Sequence, residues 1–467
     1  MIEITIHKTL CVSGARDFIK DVVASELTIE NPLFIEAEKA GRYTRNISPV
    51  IVNFWIDQLG NAHLPRGYKD RLVFLLTHYK LPYEIKDLRM WAASTFDYEP
   101  DIMLRPYQFD ALQDLAKSSE GVLVSPAASG KTVMGLSLMV MSGQKTLWIT
   151  HTKPLALQVL ERIPRFLKGI KSADITRLST GTWNVADQIY VGLVQTLKQD
   201  VNPLVHLYES YGLVIIDECH HLPAVTFTSV VSKLCPYYLY GLTATPKRRD
   251  GLEDLLYQGV GPIRHVVNRD HLKAEGSIIT PRIKVVRLET LPLNGNSFAE
   301  LIAELSQNDK RTNIIVSDVV RESKNGHVCI ITTDRKVHAE IIYEKLLKTG
   351  VKVGIATGNN KEKERVAAIK ALEAGEITTL VCTTQLLGEG FDHAPLDRLF
   401  IGLPFRNLAK CEQLVGRVQR PSKGKKDAII FDYVDITNSL TMHQFKNFGT
   451  RGCRFNVYQS LGCVVEE

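Results

Sequence analysis

Short apolar runs alternate with amphipathic stretches along most of the chain. From Leu104 onward the apolar runs have the length of buried strands, and the stretches between them have helical spacing. This alternation is typical of a parallel sheet that is covered by helices on both faces. Residues 1–95 have a different character, because strand-like segments there bracket helix-like patterns at 17–27 and 68–79.

The predicted strands after Leu104 form two sets, separated by a polar stretch with Gly276 and Pro281 that suits a linker. The first set comprises apolar runs at 122–124, 147–150, 189–194, 213–217 and 238–245. The second set comprises runs at 328–332, 352–357, 378–384, 398–404 and 428–434. We therefore predict an α/β fold with two tandem parallel-sheet domains, preceded by a small α+β domain. The predicted boundaries are 1–95 for the α+β domain, 96–266 and 282–440 for the two α/β domains, 267–281 for the linker and 441–467 for a basic C-terminal segment.

Composition narrows the class of protein without identifying a partner. Apolar residues make up 45% and charged residues 23% of the 467 positions, as in a globular protein, and the net charge of +6 permits a polyanionic partner without demanding one. The eight cysteines include no CxxC pair, which argues against a zinc ribbon or a disulfide framework. A signal-like start and a long apolar run are both absent from the sequence, so we expect a cytoplasmic, non-membrane protein.

The clearest chemical signal is the stretch GVLVSPAASGKT at residues 121–132. A predicted strand enters a turn of small residues, which opens onto a helical pattern. Small residues let backbone N–H groups approach phosphates at a helix N-terminus, while Lys131 meets the β/γ-phosphate charge and the Thr132 hydroxyl can bind Mg²⁺. A structural glycine-rich turn is the alternative. The predicted nucleotide-binding loop consists of Ser125, which stands where the usual motif has a glycine, followed by Pro126, Ala127, Ala128, Ser129, Gly130, Lys131 and Thr132.

Two further groups of residues carry candidate chemistry. Asp217 ends a buried apolar run, where it can hold Mg²⁺ through water opposite Thr132, and Glu218 is positioned to take a proton from an attacking water. Arg417 and Arg420 are spaced three residues apart, on one predicted helical face, and can reach across a cleft to a γ-phosphate. The alternatives are a solvated strand end for the acidic pair and an exposed basic helix for the arginines.

These segments resemble, in the expected order, the motifs of superfamily 2 helicases over residues 104 to about 435. The similar segments are LRPYQ (104–108), SPAASGKT (125–132), THTKPLALQ (150–158), VGLVQTL (191–197), DECH (217–220), GLTATP (241–246), TTQLLGEGFD (383–392) and QLVGRVQR (413–420). The resemblance implies two RecA-like domains that hydrolyse ATP with Mg²⁺ in the cleft between them. It also implies an adenine-reading glutamine at Gln108, further nucleotide contacts at Gly390 and Asp392, and a catalytic Gln413 beside the arginines.

Within the superfamily, the run at 241–263 and DECH in place of DEAD look like the XPB and type I/III restriction-translocase branch. The short length and the α+β segment ahead of LRPYQ are more similar to UvsW-like phage branch-migration helicases. The resemblance then implies a monomeric DNA helicase or translocase that remodels single-stranded, forked, four-way or duplex DNA in branch migration, recombination, repair or replication, as in phage enzymes of this architecture. It implies a groove for one strand lined by Thr152, Lys153, Gln195, Thr196 and Thr384. The motor subunit of a restriction system, an RNA helicase and a protein translocase are the alternatives.

The two ends of the chain carry separate expectations. The turn Leu64-Pro65-Arg66-Gly67 can present Arg66 rigidly to a DNA backbone, and the alternative is that residues 1–95 only stabilise the first α/β domain. Near the C-terminus, Arg451 and Arg454 lie among aromatic residues. This segment is expected to be either a solvated basic tail or a contact with duplex DNA.

Overall fold

The computed structural model describes residues 1–95, 99–126, 128–170, 175–177, 188–198, 209–221, 224–244, 251–289, 297–384, 395–405, 407–446 and 453–466. The chain divides into two compact units. The first unit spans residues 1–268 apart from 127–129, and the second spans 269–467 together with those three residues. The predicted α+β domain and the first α/β domain therefore belong to one unit.

The N-terminal domain is built on a mixed five-stranded sheet. Its strands are β1 (Ile2–Ile6), β2 (Leu10–Ser13), β5 (Trp55–Ile56), β6 (Ala62–Leu64) and β7 (Tyr83–Asp87), while β3 (Thr28–Glu30) and β4 (Val50–Val52) form a separate antiparallel pair. Its helices are α1 (Arg16–Phe18, then a π-helical Ile19–Val23 and Ala24–Glu26), α2 (Pro32–Lys39) and α3 (Lys69–His78), the last preceded by a 3-10 turn at Arg66–Tyr68. The sheet order is β5-β6-β2-β1-β7, and only β1 and β7 run parallel. Alternate residues of β1 are buried, so one face of this sheet forms the core with α1 and α3.

The first α/β domain contains a seven-stranded sheet whose pairings are all parallel, in the order β12-β13-β10-β14-β15-β9-β16. The strands are β8 (Glu99–Pro100) and β11 (Leu167–Lys168), which pair with each other, and β9 (Glu120–Val124), β10 (Thr146–Thr150), β12 (Ile175–Arg177), β13 (Ile189–Leu193), β14 (Leu213–Asp217), β15 (Tyr238–Thr243) and β16 (Ile263–Val266). The helices are α4 (Pro106–Ala116), α5 (Lys131–Ser142), α6 (Lys153–Phe166), α7 (Val194–Leu197), α8 (Ala224–Val231) and α9 (Glu253–Val260), with a 3-10 turn at Cys219–His221. Every residue of β9, β10 and β14 is buried, which explains their continuous apolar runs.

The second unit contains another seven-stranded sheet with only parallel pairings, in the order β19-β20-β18-β21-β22-β17-β23. Its strands are β17 (Arg282–Leu288), β18 (Cys329–Thr333), β19 (Val353–Ala356), β20 (Thr379–Thr383), β21 (Arg398–Ile401), β22 (Ile429–Asp435) and β23 (Val464–Glu466). Its helices are α10 (Arg269–Ala274), α11 (Phe298–Gln307), α12 (Asp309–Lys324), α13 (Lys336–Leu347), α14 (Glu362–Glu373), α15 (Leu408–Val418), α16 (Ser439–Phe445) and α17 (Arg454–Ser460). The predicted fold class, two parallel-sheet α/β domains behind an α+β domain, is confirmed.

Two predicted segments differ from expectation. The predicted linker 267–281 contains the helix α10. The predicted basic tail is part of the second domain, because β23 pairs with β17 and Arg454 is fully buried in an ion pair with Asp432 at 2.8 Å. Arg454 is therefore neither a solvated tail residue nor a duplex contact, and Arg451 lies outside the described residues.

Among the helices that the structure describes, we find none that is both long and apolar enough to cross a membrane.

Arg66 does not have the surface position that was predicted for a DNA contact, because it joins the N-terminal domain to the first α/β domain. Its side chain is 2% exposed, its Nε donates to Glu120 Oε2 at 3.0 Å, and a terminal nitrogen donates to the carbonyl of Tyr237 at 3.1 Å. Glu120 is itself 1% exposed and also pairs with Lys69 at 3.0 Å. Burial in this network removes Arg66 from any surface that could meet a phosphate backbone.

Candidate nucleotide and nucleic-acid site

The predicted phosphate loop lies between β9 and α5, at the carboxyl edge of the first parallel sheet. Ser125 and Pro126 follow β9, the backbone N–H of Ser125 donates to the carbonyl of Thr243 at 2.8 Å, and Ser129 precedes Gly130. Ala128 and Gly130 have left-handed backbone angles, with φ of 68° and 82°, so the chain turns sharply before the helix begins. Lys131 and Thr132 open α5, whereas Ala127 lies outside the described residues. The arrangement of strand, small-residue turn and helix is the one expected for phosphate binding.

Lys131 and Glu218 meet beside this loop. The Lys131 ammonium lies 3.2 Å from Glu218 Oε1 and donates to the carbonyl of Ser125 at 3.1 Å. Glu218 has φ of 48°, a left-handed angle that is uncommon for a residue with a side chain, and its Oε2 accepts a hydrogen bond from the N–H of Ala244 at 3.3 Å. Backbone strain of this kind is concentrated at functional sites. The left-handed backbone angle of Glu218 directs its carboxylate away from the line of β14 and towards Lys131.

Asp217 and Thr132 supply the oxygens that a Mg²⁺ ion requires. Asp217 is 5% exposed at the end of β14, and burial together with the neighbouring Glu218 raises the pKa of its carboxyl to about 7. Lys131 and Arg162 partly oppose this rise in pKa. A buried carboxylate whose charge is disfavoured and a buried hydroxyl are both hard oxygen donors of the kind that a divalent cation takes, and the cation would stabilise the charge of the carboxylate. The residues present therefore fit Mg²⁺.

Gln108 lies against the same loop. It is the third residue of α4, and its side-chain oxygen accepts a hydrogen bond from the N–H of Arg105 at 3.0 Å. A Cβ atom placed on Gly130 would lie 2.5 Å from the Gln108 amide nitrogen, so a side chain there would displace the amide. The amide thus packs on the phosphate loop, and adenine reading by Gln108 stays a prediction.

Three of the predicted nucleic-acid contacts follow the carboxyl ends of the adjacent strands β10 and β13. Thr152 and Lys153 begin α6, and Gln195 in α7 donates from its amide nitrogen to the carbonyl of His151 at 3.1 Å. Lys153 and Gln195 are exposed, and the Thr152 hydroxyl is buried with no hydrogen-bond partner among the described residues. An unsatisfied buried hydroxyl is uncommon and marks a position where a ligand oxygen could be bound.

Two other predicted contacts do not present their side chains. Thr196 is buried in the first domain. Thr384 is also buried, and it accepts a hydrogen bond from the Thr332 hydroxyl at 2.7 Å inside the second domain. Because both residues are buried, with 8% of Thr196 and 2% of Thr384 exposed, we expect any contribution of these positions to strand binding to come mainly from the backbone.

The predicted arginine pair begins on a helix of the second unit. Gln413 and Arg417 lie in α15, which ends at Val418. Arg420 therefore follows the helix, and the predicted single helical face does not include it. Its carbonyl accepts a hydrogen bond from Lys425 at 2.8 Å. The predicted nucleotide contacts Gly390 and Asp392 lie outside the described residues.

Sequence reasoning missed two residues of the site. His220 Nδ1 lies 2.5 Å from the Thr243 hydroxyl and 3.5 Å from Glu218 Oε2, so it links the acidic pair to the end of β15. Arg162 donates to the Thr132 hydroxyl at 2.8 Å from the third turn of α6. The position of His220 two residues after Glu218 was an available signal, whereas nothing local marks Arg162.

Comparison with known families agrees with this geometry. A model described as "Type III restriction enzyme, res subunit" matches residues 101–248, and one described as "Helicase conserved C-terminal domain" matches residues 306–422. The chain belongs to the superfamily 2 helicases. The matches cover the phosphate loop and the acidic pair in one domain and the Gln413 to Arg420 segment in the other.

Relatives of this superfamily 2 chain support its XPB-like branch. "Probable helicase D10" of Escherichia phage T5 is 28% identical over 65% of this chain and 65% of its own length. "DNA 3'-5' helicase XPB" of Kineococcus radiotolerans is 28% identical over 60% of this chain and 50% of its own length. The chain thus spans between half and two thirds of the length of these relatives. The predicted superfamily and branch are confirmed.

A solved structure shows the same fold. A fragment of a putative HsdR subunit of a type I restriction enzyme from Vibrio vulnificus YJ016 has a TM-score of 0.56 and 19% identity, covering 74% of this chain and 66% of that one. The crystal structure of T4 UvsW covers 100% of this chain and 98% of its own, with 16% identity and a TM-score of 0.43. The second score is too low to support an argument about architecture.

Proposed function

We propose that this chain is an ATP-dependent DNA motor, a helicase or translocase that remodels duplex or branched DNA. One observation carries the proposal: the phosphate loop with Lys131 and Thr132 faces the acidic pair Asp217 and Glu218 at one edge of a parallel sheet. Ligands of open α/β sheets bind at this edge. The DNA activities named for the XPB relative support the choice of DNA.

In this proposal each described residue of the site has a separate task. Lys131 turns from Glu218 towards the phosphates when nucleotide binds, which leaves the Glu218 carboxylate able to accept a proton from the attacking water. Thr132 and Asp217 would hold Mg²⁺, which would neutralise negative charge on the phosphate oxygens. Arg417, with Gln413 and Arg420 nearby in sequence, is proposed to stabilise the γ-phosphate charge.

We further propose that Thr152, Lys153 and Gln195 hold the backbone of one DNA strand. A hydroxyl, an amide and a lysine can bind phosphate oxygens without reading bases, and this suits a protein that moves along DNA of any sequence. The N-terminal domain is proposed to supply selectivity for forks or four-way junctions. Its exposed aromatic side chains Trp55 and Phe74 are suited to stack on unpaired bases. We also propose a cytoplasmic monomer that works in recombination, repair or replication.

The test is the ATPase rate of the full chain with Mg²⁺ and a panel of nucleic acids. We expect stimulation by single-stranded DNA and stronger stimulation by forks or four-way junctions. Stimulation by RNA alone would replace the proposal with an RNA helicase. An ATPase that no nucleic acid stimulates would favour the motor subunit of a restriction system, a candidate suggested by the first family description. No hydrolysis under any condition would refute the proposal.

A further inference from the structure

Arg162 stands at the metal side of the phosphate loop although it belongs to none of the matched motifs. Its guanidinium donates to the Thr132 hydroxyl at 2.8 Å, and Thr132 is the hydroxyl that the proposed function assigns to Mg²⁺. Burial lowers the pKa of Arg162, and the charge of Asp217 opposes this shift. Arg162 thus acts on both predicted metal-binding residues. It donates a hydrogen bond to Thr132, and its charge acts on Asp217.

Cationic side chains act on both acidic residues of the site. The Lys131 ammonium lies 3.2 Å from Glu218 Oε1, and the charge of Arg162 opposes the rise in the pKa of the buried Asp217. Because a Mg²⁺ ion binds at close range and demands near-ideal geometry, it would meet strong repulsion at Thr132 while the Arg162 guanidinium is hydrogen-bonded to that hydroxyl. The arginine must withdraw from the hydroxyl before the metal is fully bound.

We propose that Arg162 is a positioning residue that occupies the Mg²⁺ site as an internal cation and must be displaced for the metal to enter. The proposal rests on the proposed nucleotide-binding function. Arg162 lies on α6, and α6 begins at Lys153 beside the proposed strand contacts. A movement of this helix on binding DNA would therefore also move the guanidinium, so that metal entry depends on the strand.

The experiment measures how much Mg²⁺ the full chain needs to bind a fluorescent ADP analogue. Without the competing guanidinium, Arg162→Gln should lower the half-saturating Mg²⁺ concentration about tenfold, the factor expected for one hydrogen bond to a charged group. Arg162→Lys, which keeps the charge but loses the planar head, should lower it by a smaller factor. Arg165→Gln is the matched control on the same helix, and it should leave the value unchanged.

Thermal melting without nucleotide gives a readout that a merely structural arginine would not reproduce. Arg162→Gln should lower the metal-free Tm, since Asp217 loses its cation, and added Mg²⁺ should then raise the Tm more than it does in the wild type. Equal Mg²⁺ requirements in the wild type, Arg162→Gln and Arg162→Lys would overturn the inference. Failure of the wild type to bind the analogue at any Mg²⁺ concentration would instead refute the proposed function, and the inference with it.

Single-stranded DNA tests the dependence on α6. It should lower the Mg²⁺ requirement of the wild type by a larger factor than that of Arg162→Gln. Equal factors in the two proteins would reject the link to the strand.

Discussion

Arg66→Ala is expected to destabilise the chain strongly without acting on nucleic acid directly. The substitution removes the guanidinium that pairs with Glu120 at 3.0 Å and that donates to the carbonyl of Tyr237. Glu120 stays buried, with Lys69 as its remaining ionic partner among the described residues. Breaking one side of a buried ion pair costs about 3–5 kcal/mol, because the charge that remains is no longer compensated.

We expect Arg66→Ala to lower the free energy of unfolding by about 4 kcal/mol, since Lys69 still compensates part of the charge of Glu120. This is a large fraction of the roughly 5–15 kcal/mol by which folded domains are stable. For a unit of this size, each kcal/mol shifts the Tm by about 2–4 °C, so the expected loss is roughly 10 °C. Thermal and urea melts of the full chain measure it.

Two variants separate charge from packing. Arg71→Ala removes an exposed arginine that pairs with Glu26 at 2.6 Å, and it should cost less than about 1 kcal/mol. Adding Glu120→Gln to Arg66→Ala should recover part of the loss, because the buried group becomes neutral. A Tm for Arg66→Ala within about 2 °C of the wild type would refute the reasoning. So would a double variant no more stable than Arg66→Ala alone.

The remaining predictions concern catalysis, nucleotide choice and pH. Lys131→Ala and Glu218→Gln should each abolish DNA-stimulated ATP hydrolysis, with Glu218→Gln still binding ATP in a fluorescence titration; near-normal turnover in either variant would reject its role. Gln108→Ala should weaken the preference for ATP over GTP in competition assays, since the amide suits the N6/N7 edge of adenine, and an unchanged preference would reject adenine reading. His338 is buried beside Thr333, and burial followed by the charge of Arg311 lowers its pKa to about 3. The neutral, buried His338 therefore contributes fully to stability above about pH 6.5, and this contribution is lost towards pH 3 by about 1.4 kcal/mol per pH unit. In urea melts at pH 7 and 5, the free energy of unfolding of His338→Gln should depend less on pH than that of the wild type. An identical dependence in the two proteins would contradict the assignment.

Five of the seven strands that the structure describes in each parallel sheet could be predicted, because their signals are local. The strands β12, β16, β17 and β23 were not predicted. The run at 213–217 is β14 residue for residue, since a strand buried on both faces is apolar up to the polar residue, here Asp217, that ends it. The phosphate loop and the acidic pair were equally accessible, because each depends on a few adjacent residues at the end of such a strand. The order of strands within each sheet has no comparable local signal.

The predictions that failed concern pairings between distant parts of the chain. Arg66 and Glu120 are 54 residues apart, and Arg454 and Asp432 are 22 apart, so each arginine looked like a free surface cation in its own segment. The same limit hid Arg162, which is 30 residues from Thr132. A count of positive charges in a segment says little about surface chemistry when the arginines are buried in ion pairs.

The N-terminal domain cannot be treated as a detachable module in tests of its proposed role. Gly67 packs so tightly on the first α/β domain that a Cβ atom there would lie 2.6 Å from the carbonyl oxygen of Tyr257, and Gln258 donates to the carbonyl of Glu26 at 3.1 Å. A chain that begins near residue 98 would remove the partners that Gln258 and Glu120 have in the N-terminal domain, so its loss of junction unwinding would report instability. Trp55→Ala and Phe74→Ala change exposed side chains of the same domain and leave this interface intact. If both variants melt like the wild type and keep single-strand-stimulated ATPase but lose the extra stimulation by junctions, the domain contacts branched DNA; if junction selectivity survives in both, stacking by these residues is rejected.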